Sequence, residues 1–206
     1  MRTKLIKIHS RRYMEYELLD NKNNKIYSIM LPKRSLKKIF DKDEPLTVSK
    51  GDEVVYSFKF NITNRREGSW GCEIFDKHGE KVGITYRRNK RVGLTSYSYF
   101  DFEFKNRHFE CIMAGIDGTK LLIFETSTGQ QVGLSETPSV VRNNLNDWTL
   151  YAKNEEEDLI TLFATLQADY LRFDFRARQK FIVKKYFFAT PKELNVRYQS
   201  SFKDEI

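Results

Sequence analysis

Ile74-Phe75-Asp76-Lys77-His78-Gly79-Glu80-Lys81-Val82-Gly83-Ile84 returns about fifty residues later as Ile123-Phe124-Glu125-Thr126-Ser127-Thr128-Gly129-Gln130-Gln131-Val132-Gly133-Leu134. With one residue inserted before the first glycine, Gly79/Gly129, Val82/Val132 and Gly83/Gly133 align. A blurred third copy runs from Leu18-Leu19-Asp20 to Lys25-Ile26-Tyr27-Ser28-Ile29, with Asn24 in the place of the turn glycine. Each copy leads an apolar pair into an acid. A short polar turn then closes on Gly or Asn, the residues that take positive φ at least cost. That is a β-hairpin signature, and its recurrence speaks of architecture before chemistry. Gly83 and Gly133 fall inside the return strands, where glycine weakens the strand unless a neighbour approaches closely or the strand bends.

Working outward from the repeat, alternation dominates. Val54, Tyr56, Phe58, Phe60 and Ile62 point one way, and Val55, Ser57, Lys59 and Asn61 the other. Trp70-Cys72-Ile74, Phe102-Phe104 and Phe109-Cys111-Met113 repeat the pattern, a period of two with one buried face. Turn signals such as Lys50-Gly51-Asp52, His78-Gly79, Lys105-Asn106 and Thr128-Gly129 recur every eight to twelve residues. They predict ten to twelve short strands across residues 2–153, in a sandwich or a closed barrel. Ser35–Asp41 reads as a short helical turn in the first long connection.

One segment breaks the alternation. Asn154 is an N-cap, Glu157 completes a capping box, and Glu155–Asp158 load the first turn with charge that suits the helix dipole. Leu159, Ile160, Leu162, Phe163, Ala164, Leu166, Ala168, Tyr170 and Leu171 follow, leaving Thr161, Thr165, Asp169 and Arg172 as a narrow polar stripe. A helix apolar on most of its circumference is buried on most sides. The apolar stretch of about thirteen residues falls short of the roughly twenty that cross a bilayer. A helix at about 155–171, inside the strands, is the expectation.

At 206 residues, with sixteen Phe, eleven Tyr and only four Pro, the chain reads as a folded domain with an extension. Met1–Ser10, with Arg2, Lys4 and Lys7 alternating, suits a first strand better than a signal peptide. Cys72 and Cys111 make no disulfide framework, so free thiols and a cytoplasmic location are expected, and the Asn61-Ile62-Thr63 sequon is then without meaning. The net charge of +8 divides into +7 over residues 1–50, −4 over 51–171 and +5 over 172–206. The two ends of the chain are basic and its middle mildly acidic, which bears on partners and not on fold.

A meander of about twelve strands with repeated hairpins, followed by one hydrophobic helix, resembles the Tubby C-terminal-like superfamily. That group includes tubby-like proteins, phospholipid scramblases and LURP-one-related proteins. The resemblance rests on Ile74–Ile84, Ile123–Leu134, the strand around Trp148–Ala152 and the helix Asp158–Leu171, and covers roughly residues 15–175. It implies a mainly β fold, an antiparallel barrel of about twelve strands wrapped around a central C-terminal helix. It also implies a role for Gly83 and Gly133: a bare strand backbone lets the helix come close. The chain departs from the pattern in that some thirty-five residues follow the helix. Residues 1–175 would form the barrel, and 176–206 a basic, aromatic extension docked upon it. No ligand-contacting residue of the superfamily carries over position by position, so lipid binding is implied only by analogy.

No constellation for catalysis stands out. His9, His78 and His108 are scattered, and no C-x-x-C or H-x-x-H spacing offers a metal site. No phosphate-binding glycine loop or nucleophile elbow is present. Cys72 and Cys111 fall on apolar strand phases and read as small buried hydrophobes. Neither an enzyme, a metal nor a cofactor is expected. The basic clusters remain. Arg87, Arg88, Lys90 and Arg91 would place four cations across one hairpin tip, and Lys33, Arg34, Lys37 and Lys38 place four more in the first long connection. Such clusters hold anionic headgroups at roughly 1 kcal/mol per cation, or they are solvated loops. In the extension, Arg176, Arg178, Lys180, Lys184 and Lys185 interleave with Phe181, Tyr186, Phe187 and Phe188. That pattern fits a membrane interface, single-stranded nucleic acid or strands that complete the barrel.

Three functions follow in order. The first is a cytoplasmic, non-enzymatic module for anionic phospholipid headgroups or a membrane surface, peripheral at the membrane. The second is a protein-interaction barrel using the extension. Nucleic-acid binding ranks last, because the acidic middle supplies no continuous basic face. A small-molecule carrier requires space beside the helix.

Overall fold

The computed structural model describes residues 1–9, 13–32, 45–61, 71–92, 95–114, 119–138, 140–142, 147–172, 181–183 and 197–206. The helical turn expected at Ser35–Asp41 lies outside them, as do Ile62 and Trp70 of the alternating runs. Period-two runs between turn residues become β1 (Arg2–His9), β2 (Tyr13–Leu19), β3 (Lys25–Pro32), β4 (Leu46–Lys50), β5 (Glu53–Asn61), β6 (Gly71–Asp76) and β7 (Lys81–Val92). β8 (Thr95–Phe104), β9 (Arg107–Ala114), β10 (Lys120–Glu125), β11 (Gln131–Glu136), β12 (Val140–Arg142) and β13 (Trp148–Ala152) follow, then helix α1 (Glu155–Arg172) and β14 (Phe181–Val183). Twelve of these strands close a barrel in the order β1-β13-β11-β10-β9-β8-β7-β6-β5-β4-β3-β2. β12 and β14 pair as a separate ribbon. Closure removes the unpaired edges that an open sheet must otherwise protect.

Four hairpins share one device. At β6–β7, Ile74 pairs with Gly83 but Phe75 pairs with Lys81, so Val82 is an extra residue, a β-bulge. Val132 is the corresponding residue at β10–β11, Ile26 at β2–β3 and Val55 at β4–β5. All four pack on the core. The bulge at Val55 shifts the strand's phase: Val54 is exposed and Phe58 buried, so Val54 does not share the inward phase expected of it. The turns are held by the acid that precedes them. Asp76 accepts N–H bonds from His78 and Glu80, and Asp20 accepts them from Lys22 and Asn24. Positive φ falls on Gly79, Gly129 and Asn23. Asn23, not Asn24, therefore stands where the glycine does.

The helix starts as its cap residues dictate. Asn154 Oδ1 accepts the Glu157 N–H (3.0 Å), and Glu157 Oε2 accepts the Lys153 N–H (3.1 Å). Within the barrel α1 buries Ile160, Leu162, Phe163, Ala164, Leu166 and Ala168. The Phe163 ring meets Tyr56, Phe58 and Phe104 edge-on at centroid distances of 5.1, 4.9 and 5.3 Å. The two repeat glycines differ. A Cβ on Gly133 would lie 2.2 Å from Thr161 Oγ1 of the helix, whereas one on Gly83 would meet the Glu103 carbonyl at 2.8 Å and the Phe104 ring. Only Gly133 makes room for the helix; Gly83 makes room for its neighbouring strand.

Candidate functional site

Every neighbouring pair in the barrel is antiparallel, so the barrel has two unlike ends. At one lie the tight hairpin turns, Asp76–Lys81 and Glu125–Gln131 among them, and the start of α1 with Glu155, Glu156, Glu157 and Asp158. At the other lie the strand ends that flank residues 10–12, 33–44, 62–70, 93–94 and 115–118. The helix runs along β1, with Asp158 beside Thr3 and Asp169 beside Lys7, so it finishes toward this second end.

The sequence flanked by these strand ends, residues 10–12, 33–44, 62–70, 93–94 and 115–118, holds nine Lys or Arg against five Asp or Glu. Lys33, Arg34, Lys37 and Lys38 lie outside the described residues, but the strand ends on either side of them, on β3 and β4, belong to this end. Arg87, Arg88, Lys90 and Arg91 are not at a hairpin tip. β7 stays paired with β8 as far as Val92 and Thr95, so these four residues occupy the last turns of pleat before the tip, opposite Phe100, Tyr99, Tyr97 and Ser96. Arg87 faces a core phenylalanine across the ladder and is itself exposed at the rim, on the phase of buried Thr85. Arg88 takes the other face, its guanidinium 5.1 Å from the Tyr86 ring centre and 3.7 Å from the Asp101 carboxylate. Below Arg87, Thr85 Oγ1 is buried with no hydrogen-bond partner among the described residues, and so is Gln167 Oε1 on the helix.

Beneath this end the helix is fixed by a buried charge. Asp169 Oδ2 accepts from Lys7 Nζ at 2.8 Å and from the Tyr16 hydroxyl at 2.6 Å, and Oδ1 accepts from Trp148 Nε1 at 3.1 Å. Lys7 and Asp169 are almost wholly out of water. Burial first, then the Asp169 charge, holds the Tyr16 hydroxyl well above its ordinary pKa. These donors come from β1, β2 and β13, so the cluster anchors the helix to three strands of the wall. Lys7 does not alternate outward with Arg2 and Lys4 as expected: its odd position gives it the inward parity of Thr3 and Leu5, and it is buried while the other two are exposed.

Comparison with protein-family models, curated proteins and solved structures finds no significant match. Among the described residues no group of His, Cys, Asp and Glu is placed to hold a metal ion. Cys72 and Cys111 are buried in the core, and burial pushes both thiols up, away from the reactive thiolate. No helix among the described residues is long and apolar enough to cross a membrane.

Proposed function

We propose that this chain is a cytoplasmic, non-enzymatic β-barrel module of the Tubby C-terminal-like kind. It binds anionic phospholipid headgroups or a membrane surface through its basic end, as a peripheral protein. The observation that carries the reading is the polarity of the barrel. The β3 and β4 ends that flank Lys33–Lys38 and the β7 end that holds Arg87–Arg91 belong to the same end of the barrel, with two strands between β4 and β7, opposite the acidic start of α1. A charged end facing away from an acidic one orients the molecule toward an anionic surface and raises its encounter rate. The barrel around a helix supports the kinship.

Co-sedimentation with vesicles tests the reading. Binding is expected to vesicles containing phosphatidylserine or phosphoinositide and not to pure phosphatidylcholine, and to weaken with salt. Replacing Arg87 and Arg91 together by alanine removes about 2 kcal/mol at roughly 1 kcal/mol per cation, on the order of thirtyfold in affinity. Equal binding to neutral vesicles, or an unaffected double variant, contradicts it.

The second reading, a protein-interaction barrel, is favoured by one observation. The C-terminal residues 197–206 lie against the barrel through side chains rather than as a further strand.

A further inference from the structure

The outer face of a barrel wall is normally polar, yet β10, β11 and the last four residues of β9 are buried on both faces. Their outward residues Ile112, Leu122, Phe124 and Leu134 form a second apolar cluster outside the barrel, and Phe202 is wholly buried in it. The segment bearing Phe202 is bound as peptide ligands are. Its backbone bonds are internal, Phe202 N–H to the Gln199 carbonyl and Asp204 N–H to the Ser201 carbonyl, apart from the Gln199 N–H, which donates to Gln131 Oε1. Everything else is side chain. Phe202 is the wholly buried anchor on this apolar face, with Tyr198 packed beside it, and a cation clamps each side: Arg197 donates to Glu110 at 2.6 Å, and Lys203 pairs with Glu136. Arg197 also lies 4.2 Å from the Phe124 ring centre, Lys203 5.1 Å from that of Tyr151. A central buried aromatic with charged flanks is how interfaces concentrate their energy.

We infer that this face is a peptide-binding groove whose resident ligand is the chain's own C-terminal segment, and that a second copy's segment takes the same groove in trans. This rests on the protein-interaction reading and names its partner; it is independent of the membrane reading. The groove complements this sequence in charge, with Glu110 and Glu136 placed for the two cations. The cis segment holds the groove at low concentration because it belongs to the same chain, so its binding is intramolecular.

The test uses the full chain with Phe202→Ala, which empties the anchor position, and a fluorescein-labelled peptide of residues 197–206. Fluorescence anisotropy is expected to show saturable binding to the variant, at least tenfold tighter than to the wild type, whose own segment competes. Peptide carrying Phe202→Ala binds neither. Light scattering is expected to show wild-type dimers appearing with rising concentration and none for Phe202→Ala. A folded variant that binds the peptide no better than wild type overturns the groove. A variant whose near-ultraviolet circular dichroism shows that the barrel is lost overturns it also, since the segment would then be part of the core. Peptide binding without wild-type self-association overturns the second copy as occupant.

Discussion

A methyl group separates two glycines that look alike in the sequence. Gly133→Ala drives a Cβ into Thr161 Oγ1, a side chain that already donates to the Glu157 carbonyl at 2.7 Å. Overpacking of this kind costs about 1–3 kcal/mol, and Thr161→Ala in the same chain is expected to restore much of it, as read from urea midpoints. Gly83→Ala meets strand backbone, so the helix substitution is expected to leave its cost unchanged. The repeat thus shows in sequence that both positions want glycine, while the neighbour that demands it is set by tertiary packing. Asp158 gives a second prediction at this scale. Burial raises its carboxyl to about 6, against the hydrogen bond from Thr3 and the chain's N-terminal ammonium, which lower it. An acid raised on folding stabilises the native state while protonated. That contribution is full below the ordinary value of 3.8 and lost as pH climbs to about 6. Asp158→Asn is therefore expected to be more stable than wild type at pH 8 by on the order of 2–3 kcal/mol, with the difference closing near pH 4. Equal urea midpoints at pH 8 would count against it.

The helix is the element on which the fold turns, and its register is written in its polar stripe. Thr161 and Thr165 return their hydroxyls to carbonyls one turn back, and Thr165 meets Ser135 of β11. Asp169 then takes Lys7, Tyr16 and Trp148 from β1, β2 and β13. Lys7→Met leaves that carboxylate buried and uncompensated, a loss of about 3–5 kcal/mol. Lys7→Met with Asp169→Asn keeps the acceptor without the charge, and is expected to lose less than Lys7→Met alone; additive losses in denaturant unfolding contradict the pairing. The cap at Asn154 and the apolar length of α1 were legible because both are local patterns. The partner of Asp169 was not, because nothing local to the helix identifies a lysine some 160 residues earlier. The fourth bulge hairpin was hidden because its local signature differs: Ser49-Lys50 stand where the others have an apolar residue and an acid, Leu19-Asp20, Phe75-Asp76 and Phe124-Glu125.

At the scale of the molecule, closure sorts the chain into two ends that composition alone could not assign. The segments richest in Lys and Arg are scattered in sequence, yet antiparallel order brings the strand ends flanking residues 33–44 and the end of β7 to one side. That side was invisible from charge counts, since a cluster's position on a barrel depends on the direction of every strand before it. The apolar outer face of β9–β11 was equally hidden, because its cover comes from the far end of the chain. Polarity of this kind predicts orientation on a surface. The most direct measurement puts an environment-sensitive fluorophore on Thr95→Cys, which pairs with Val92 at the basic end of β7, and separately on His78→Cys, in a hairpin turn at the opposite end of the barrel. With phosphatidylserine vesicles, the label at 95 is expected to shift to the blue and resist an aqueous quencher, and the label at 78 to change in neither respect. Protection at 78, or at both positions alike, would contradict binding through the basic end.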